Sequence, residues 1–177
     1  MKKNTKFLVL SGLFALSSCF SVLSYAQNTP LANAEKLYNA GKKTEALAIA
    51  DKVLQEKPTD PQMRFLKAVI LTEQNKTTEA IDIYTGLMRD FPELPEPYNN
   101  VAVLYNLKGQ PELSKVALES AIRNNPGYAV AHENLGDIYI QLASASYKKA
   151  QKLGVNSASL KAKLLRTESV IQLPNKP

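Results

Sequence analysis

Three prolines recur at a single interval along the chain, and this interval limits the folds that the chain can adopt. Pro58, Pro92 and Pro126 are each separated by 34 residues. Three other series of small or turn-forming residues keep the same interval, namely Gly41, Asn75 and Gly109; Ala34, Ala68, Ala102 and Gly136; and Ala46, Ala80 and Ser114. Self-similarity at a period of about 20 to 50 residues is typical of chains that stack one supersecondary unit on the next. The sequence therefore predicts an array of repeats.

Each unit is predicted to be a pair of antiparallel α-helices. Ala, Leu, Lys, Glu and Gln dominate the middle of the chain, and all of them favour helices. The small residues of the two alanine series let paired backbones approach, and larger ones are expected to fill the groove between neighbouring pairs: Leu37, Leu71, Tyr105 and Tyr139. Glycine and asparagine tolerate the positive φ of a tight turn, and proline ends a helix because it cannot donate the next hydrogen bond. One unit cannot bury its own apolar face, so stacking has to supply the core.

The residues within the units resemble the tetratricopeptide repeat family, whose pattern combines a large residue, Leu-Gly, Tyr, Ala, an aromatic residue and Pro. The matching residues are Tyr98, Val101, Ala102 and Tyr105 in one first helix, His132, Leu135, Gly136 and Tyr139 in the next, and Ala80, Tyr84 and Pro92 in a second helix and its terminator. The resemblance extends from about Leu31 to Leu153. It implies an all-α solenoid of antiparallel helix pairs with a C-terminal capping helix. It also implies a scaffold, not an enzyme, that binds a protein or peptide in a concave groove.

The repeat boundaries follow from the period. We predict full repeats at residues 27–60, 61–94 and 95–128, a shortened repeat at 129–153, and a capping helix with a tail at 154–177. The fourth repeat lacks about five residues of the usual turn between its helices, so that either the turn is very tight or both helices continue as one. Because residues 141–152 contain neither Gly nor Pro, we predict one continuous helix from Ala129 to Leu153, which Gly154 closes.

A last helix is predicted beyond this point. Ser157 or Ser159 is expected to cap it, and it should end near Leu173. Its apolar residues could cover the end of the stack, which a solenoid usually needs. The same helix, or a second copy of the chain, is an alternative occupant of the groove. The sequence gives no indication of the oligomeric state.

The N-terminal residues 1–26 predict export. Three lysines without any acidic residue precede an apolar run over residues 7–23, and small residues follow up to Ala26. This order of basic, apolar and small residues is typical of a secretory signal peptide. We therefore expect cleavage between Ala26 and Gln27 and a periplasmic or secreted protein.

A second processing route competes with this one. Residues 16–19, Leu-Ser-Ser-Cys, resemble a bacterial lipobox, although the residues that follow are apolar where lipoproteins usually turn polar. The alternative is therefore an outer-membrane lipoprotein, a lipid-anchored assembly factor acylated at Cys19. We expect contact with a membrane only if Cys19 is lipidated. On the favoured route the mature chain contains no Cys, and disulfide or thiol chemistry is excluded.

The net charge of +6, from 22 basic and 16 acidic residues, is unevenly distributed. Removal of the export segment and its three lysines leaves +3. Residues 148–177 carry +6, with seven basic residues against Glu168, so residues 27–147 carry −3. A nucleic-acid-binding protein would place its basic residues on the folded face beside aromatic or arginine partners. We therefore expect no nucleic-acid partner.

Catalytic and metal-binding chemistry is not expected. His132 is the only histidine, and a metal site or an activated nucleophile needs several convergent ligands or a positioned base. We expect His132 to pack in the groove between helices. Glu133 and Asp137 lie four residues apart on one helical face, where a solvated or peptide-contacting role is favoured over a carboxylate pair. No phosphate-binding Gly loop is present. We therefore predict no catalytic residue, no metal and no cofactor.

The partner-binding residues follow from the resemblance, because the family presents residues about one helical turn apart on each first helix. Carried over to this chain, the groove residues are Tyr38, Phe65, Val69, Glu73, Asn99, Val103, Asn106, Leu107, Glu133, Asp137 and Gln141. Family members that grip a C-terminal carboxylate use Lys, Arg and Asn there, and this set contains no cation, so such a clamp is not expected. Apolar anchors, amides for a peptide backbone and carboxylates instead favour a basic or neutral partner.

Overall fold

The computed structural model describes residues 29–172, and these residues form eight α-helices without any strand. The helices are α1 (Pro30–Asn39), α2 (Lys43–Glu56), α3 (Pro61–Glu73), α4 (Thr77–Asp90), α5 (Pro95–Leu107), α6 (Pro111–Asn124), α7 (Ala129–Lys152) and α8 (Ala158–Ile171). The described residues divide between Glu93 and Leu94 into a first unit, α1–α4, and a second unit, α5–α8. The predicted all-α class is confirmed. The predicted export segment, with Ala26, Gln27 and Cys19, lies outside the described residues.

In the first unit, each first helix pairs with the helix that follows it. α1 contacts α2, α3 contacts α4, and α3 also contacts both helices of the preceding pair. A cluster of buried residues joins them: Ala34, Tyr38, Ala46, Ala50, Met63, Leu66, Val69 and Ile70. Burial of an aliphatic side chain such as that of Ile70, which is 0% exposed, contributes about 1.5–3 kcal/mol. The small residues of the period, among them Ala34 and Ala68, are also 0% exposed, as close approach of paired helices requires.

Three tight turns connect the helices of a pair, and each has a residue with positive φ at its centre. These are Gly41 (77°), Asn75 (61°) and Gly109 (73°). In the first turn the amide of Lys42 donates to the carbonyl of Leu37 over 2.9 Å, and the other two turns repeat this bond one and two periods later. The pattern is a Schellman closure, which suits a residue that tolerates positive φ. The predicted turn conformation is confirmed.

The prolines of the period lie just beyond the second helices. Pro58, Pro92 and Pro126 are each two residues past the end of α2, α4 or α6. Proline also begins α1, α3, α5 and α6, where the first helical residue needs no amide donor. The side chains of Thr29 and Asp60 cap α1 and α3 by accepting hydrogen bonds from the backbone over 3.1 Å and 2.9 Å. Helix ends are therefore specified locally, independently of the stacking.

In the second unit, α6 contacts α5 and α7, and α8 contacts α7. The most buried apolar residues here are Val101, Ala102, Leu104, Leu118, Ala121, Ala131 and Ile138. α7 is one helix of 24 residues, which confirms the predicted continuous helix. Gly154 follows it with φ 99°, and the Ser157 side chain caps α8 by accepting from the amide of Leu160 over 3.1 Å. Leu160 and Leu164, both 7% exposed, are the buried residues of α8.

The uninterrupted α7 corrects two predictions. Gly136 was predicted to allow close packing, yet it is exposed, and a Cβ built there would meet no atom within 4 Å. Tyr139 was predicted to fill a groove, yet it is 47% exposed. In the other repeats a second helix pairs with the corresponding face. α8 instead contacts the later half of α7, where Lys148 pairs with Glu168 over 3.0 Å. The earlier half contacts α6, where the Tyr139 hydroxyl donates to Glu119 over 3.4 Å, but the face that carries Gly136 has no atom within reach.

Candidate functional site

In the first unit, two predicted groove residues bind each other. The Tyr38 hydroxyl on α1 donates to Glu73 Oε1 on α3 over 2.6 Å, and Lys43 Nζ lies 2.8 Å from Glu73 Oε2. Tyr38 is 6% exposed, and its burial together with the Glu73 carboxylate raises the pKa of its hydroxyl above the usual range. The polar groups of Tyr38 and Glu73 therefore tie the first helices together.

The apolar part of the same face is mostly buried. Phe65 is half-buried and packs edge-to-face on Tyr84, with ring centroids 5.8 Å apart and an interplanar angle of 66°. Val69, one turn further along α3, is only 2% exposed. Of the two predicted apolar anchors in this unit, Phe65 is thus the accessible one.

In the second unit, asparagines connect the first helix α5 to α7. The Asn134 amide donates to Asn99 Oδ1 over 2.9 Å, and the Asn99 amide donates to Asn100 Oδ1 over 3.3 Å. Asn99 is 0% exposed and Val103 is 5% exposed. Asn99 was predicted to hold a peptide backbone, but both ends of its side-chain amide already have partners inside the unit.

The accessible groove residues of the second unit lie in the last turn of α5 and beyond the middle of α7. Leu107 is 42% exposed. Asn106 and Gln141 are half-buried, and the side-chain amides of both are without a hydrogen bond to any residue in the 29–172 range. The Asn99–Asn134 bond brings the corresponding faces of α5 and α7 side by side. One apolar side chain and two available amides therefore share this surface, which we call the α5/α7 surface.

Carboxylates border the α5/α7 surface. Glu133 is exposed, while Asp137 and Glu96 are half-buried. Burial, and then the negative charge of Glu96, raise the pKa of Tyr128 to about 12. Neither α5 nor residues 129–141 contain a Lys or Arg. Lys108, which is exposed, follows α5 directly, so three carboxylates stand against one cation here.

One residue that was not predicted, Asn134, pairs with a predicted residue at the same sequence offset as another pair. Tyr38 and Glu73 are 35 residues apart, and so are Asn99 and Asn134. Thirty-five is one period plus one residue, the offset at which side chains on neighbouring first helices meet here. A search for complementary pairs at this offset would have found Asn134. Lys43 lies outside that pattern and was not predictable from it.

The remaining candidate chemistry is sparse. His132 was predicted to pack between helices, but it is exposed, and its Nε2 lies 2.9 Å from the carbonyl oxygen of Pro126. Within residues 29–172, no three His, Cys, Asp or Glu side chains are grouped so that they could hold a metal ion. None of α1–α8 is both long enough and apolar enough to cross a lipid bilayer.

Comparison with protein families gives a match that covers most of the chain. A family model described as Psidin, N-terminal TPR repeats region, matches residues 35–163. The chain is a tetratricopeptide repeat (TPR) protein. This confirms the resemblance found in the sequence. TPR repeats form protein-interaction scaffolds, and the family is generally non-catalytic. A search of curated proteins gives no match.

Solved structures of TPR proteins share the fold. TTC0263, a thermophilic TPR protein in Thermus thermophilus, is 24% identical, with 81% of each chain covered and a TM-score of 0.59. MamA from Desulfovibrio magneticus RS-1 is 20% identical, with 84% of this chain and 80% of that chain covered and a TM-score of 0.58. YrrB is 16% identical, with 80% and 75% covered and a TM-score of 0.58. At these identities the likeness shows the TPR solenoid fold alone.

Proposed function

We propose that this TPR protein is an exported, non-catalytic adaptor that binds a protein or peptide partner on its first helices. The proposal rests on the α5/α7 surface. Exposed Leu107 and its neighbour Asn106 lie on α5, and Gln141 lies on the facing side of α7. An extended peptide presents alternating apolar side chains and backbone amides, which are the groups that one aliphatic side chain and two amides can receive. YrrB, described as a TPR protein with an unusual peptide-binding site, supports binding of this kind on the same fold.

The strength of such a contact can be bounded. Covering the exposed part of Leu107 would contribute about 1 kcal/mol, since full burial of a leucine contributes about 1.5–3 kcal/mol. Each hydrogen bond from Asn106 or Gln141 adds about 0.5–1.5 kcal/mol. This sum corresponds to weak binding, so a partner would need further contacts on the same unit.

The charge of the surface selects the partner. The carboxylates Glu96, Glu133 and Asp137 outnumber the one cation next to Leu107, Lys108, so a basic or neutral segment is favoured over an acidic one. A free C-terminal carboxylate would meet this excess of acidic groups, with no cation on α5 or on residues 129–141 to receive it. We therefore propose an internal or basic segment of the partner as the ligand.

Site-specific photocrosslinking tests this assignment. A benzophenone amino acid in place of Leu107 should capture a partner in envelope preparations, whereas the same group in place of Leu113 should not. Leu113 is a matched control because it is 48% exposed but lies on the second helix α6. Capture at 107 should weaken when Asn106 and Gln141 are both replaced by Ala. Equal capture at both positions, or capture only at 113, would show that the α5/α7 surface is not the binding site.

Export is a separate part of the proposal. The order of basic, apolar and small residues in positions 1–26 supports cleavage after Ala26 and release to the periplasm or beyond. The lipobox-like residues 16–19 support the alternative, a lipid-anchored outer-membrane assembly factor acylated at Cys19. The mass of the mature N-terminal peptide distinguishes the two, because it begins either with Gln27 or with a diacylglyceryl-modified Cys19.

A further inference from the structure

The hairpin formed by α7 and α8 extends further than the α5/α6 pair of the same unit. α7 has 24 residues and α5 has 13, so α7 is longer by 11 residues, or about 16 Å at the helical rise. The period would place a turn glycine 34 residues after Gly109, whereas the turn residue is Gly154, another 11 residues later. Eleven residues are close to three helical turns. The turn after α7 therefore lies at the end of a projecting hairpin, and we call residues 152–157 the hairpin tip.

The backbone of the hairpin tip repeats the closure of the other three turns. The Val155 amide donates to the Ala150 carbonyl over 3.1 Å, and the Gly154 amide donates to the Gln151 carbonyl over 3.0 Å. These are the two bonds of a Schellman motif. Ser157 then caps α8. The tip is therefore held in one conformation by its own hydrogen bonds.

The side chains of the hairpin tip differ from those of the other turns. The residues on either side of the positive-φ residue are Ala40 and Lys42, Gln74 and Lys76, and Lys108 and Gln110 in the three inner turns. At the tip they are Leu153 and Val155, which are 75% and 49% exposed. Leu153 is the most exposed large apolar side chain in residues 29–172. Since the same closure forms elsewhere with Ala, Lys or Gln at these positions, folding of the turn does not require large apolar side chains.

The chain around the tip carries one sign of charge. Between Asp137 and Glu168 there are six basic residues and no acidic residue. Lys148 pairs with Glu168, and Lys163 lies over the Tyr147 ring at 5.7 Å from its centroid. The other four basic residues form no ion pair with the rest of residues 29–172: Lys149, Lys152, Lys161 and Arg166. The hairpin therefore presents an apolar tip within a strongly positive segment.

We propose that the hairpin tip binds the surface of an anionic lipid bilayer, with Leu153 and Val155 in the headgroup region and the surrounding cations against lipid phosphates. Exposed aliphatic groups flanked by lysines are the composition that interfacial membrane binding requires. Nucleic acid is disfavoured because two aliphatic side chains offer nothing to phosphates or bases, and the segment has one arginine among six cations. A folded acidic protein would need a cavity for the projecting tip, whereas a bilayer admits it without one. This contact is peripheral and does not depend on lipidation of Cys19, so it replaces the expectation that the chain meets a membrane only when Cys19 is lipidated.

Vesicle sedimentation tests the proposal on the chain from Gln27 to Pro177, which keeps every described residue and omits the apolar N-terminal run. Binding should occur with vesicles of phosphatidylglycerol and phosphatidylethanolamine, and it should be absent with phosphatidylcholine alone. The double substitution Leu153→Gln and Val155→Gln, which imitates the inner turns, should weaken binding about tenfold. Lys149→Gln with Lys152→Gln should weaken it about thirtyfold, and 0.5 M salt should have a comparable effect.

A matched control separates this tip from general surface apolarity. Leu113 and Val116 on α6 are 48% and 59% exposed, so Leu113→Gln with Val116→Gln removes a similar apolar area away from the basic segment. This variant should bind vesicles like the unmodified chain. Circular dichroism should show that all the variants keep their helical content.

A tryptophan reporter gives an independent measurement of depth. The chain has no Trp, so Leu153→Trp provides a unique fluorophore, and Val116→Trp is its control. Anionic vesicles should shift the emission of Trp at 153 to the blue, and brominated lipids should quench it, with no change for Trp at 116. Vesicle binding that the glutamine tip variant retains in full, or equal responses of both reporters, would overturn the proposal. Absence of vesicle binding with salt-sensitive binding to polyglutamate or single-stranded DNA would overturn it in favour of an acidic polymer.

Discussion

The bond between Tyr38 and Glu73 allows the coupling between neighbouring first helices to be measured. Tyr38→Phe removes a 2.6 Å hydrogen bond to a carboxylate whose side chain is 21% exposed. A hydrogen bond to a charged group contributes about 1.5–3 kcal/mol, and partial access of water to Glu73 together with its contact to Lys43 lowers this value. We therefore expect Tyr38→Phe to reduce the free energy of unfolding by about 1–1.5 kcal/mol.

A double-mutant cycle assigns this loss to the bond. Glu73→Met removes the acceptor while keeping the length of the side chain, and the double variant completes the cycle. Urea denaturation at pH 7, followed by circular dichroism at 222 nm, should give a coupling energy of about 1 kcal/mol. Tyr105→Phe is the matched control, since the Tyr105 hydroxyl has no hydrogen bond to any other described residue, and it should leave stability nearly unchanged.

Two results would refute this reasoning. One is a coupling energy below about 0.3 kcal/mol, which lies within the additivity expected of independent sites. The other is an equal loss from Tyr105→Phe. The pH dependence adds a further check. Because the pKa of Tyr38 is raised in the folded state, its bond contributes fully to stability at pH values below the pKa of an unfolded tyrosine, about 10. This contribution is lost as the pH rises beyond that value. The coupling energy should therefore be the same at pH 7 and pH 9.

Two further predictions concern a pair of glycines and one carboxylate. Gly109→Ala should destabilise the protein by about 1 kcal/mol because φ is 73° at this position. Gly136→Ala should stabilise it by up to about 1 kcal/mol because Gly136 lies within α7 with open space around it. Thermal unfolding of the two variants should therefore show shifts of opposite sign. Hydrogen bonds from Arg89 and then Arg64 hold the pKa of Asp90 below its usual 3.8, so its contribution is present above pH 4 and is lost as the pH falls below that value. Asp90→Asn should therefore lower the urea midpoint more at pH 7 than at pH 2, and an equal loss at both values would contradict the assignment.

The period predicted the elements of this fold well because its residues act through the backbone. Gly41 and Asn75 occupy positive φ, and Pro58 follows the end of α2, whichever side chains surround them. The continuous α7 was also predictable, since a long run without Gly or Pro leaves no local reason for a turn. Local conformational preference and sequence position are enough to place these features.

The candidate site was predictable only as a face. Val103 and Leu107 lie one turn apart on the same side of α5, yet they are 5% and 42% exposed. The period fixes the direction of a side chain from its helix but not how far neighbouring side chains cover it. Gly136 shows the same limit, because its role depends on a partner helix that the fourth repeat does not place beside it. The exposed fraction of a side chain depends on how its neighbours pack, and a single sequence does not predict this packing.

The missing turn in α7 also has a consequence for self-association. Within each unit a second helix contacts the first helix of the next pair, as α2 contacts α3 and α6 contacts α7. Beside the earlier half of α7 no second helix follows within the described residues, and α8 contacts the later half instead. A further copy that offered its own α1 would find no such support there. We therefore expect the hairpin to act as a terminator that keeps copies from joining head to tail into filaments, a hazard of open-ended repeat stacks.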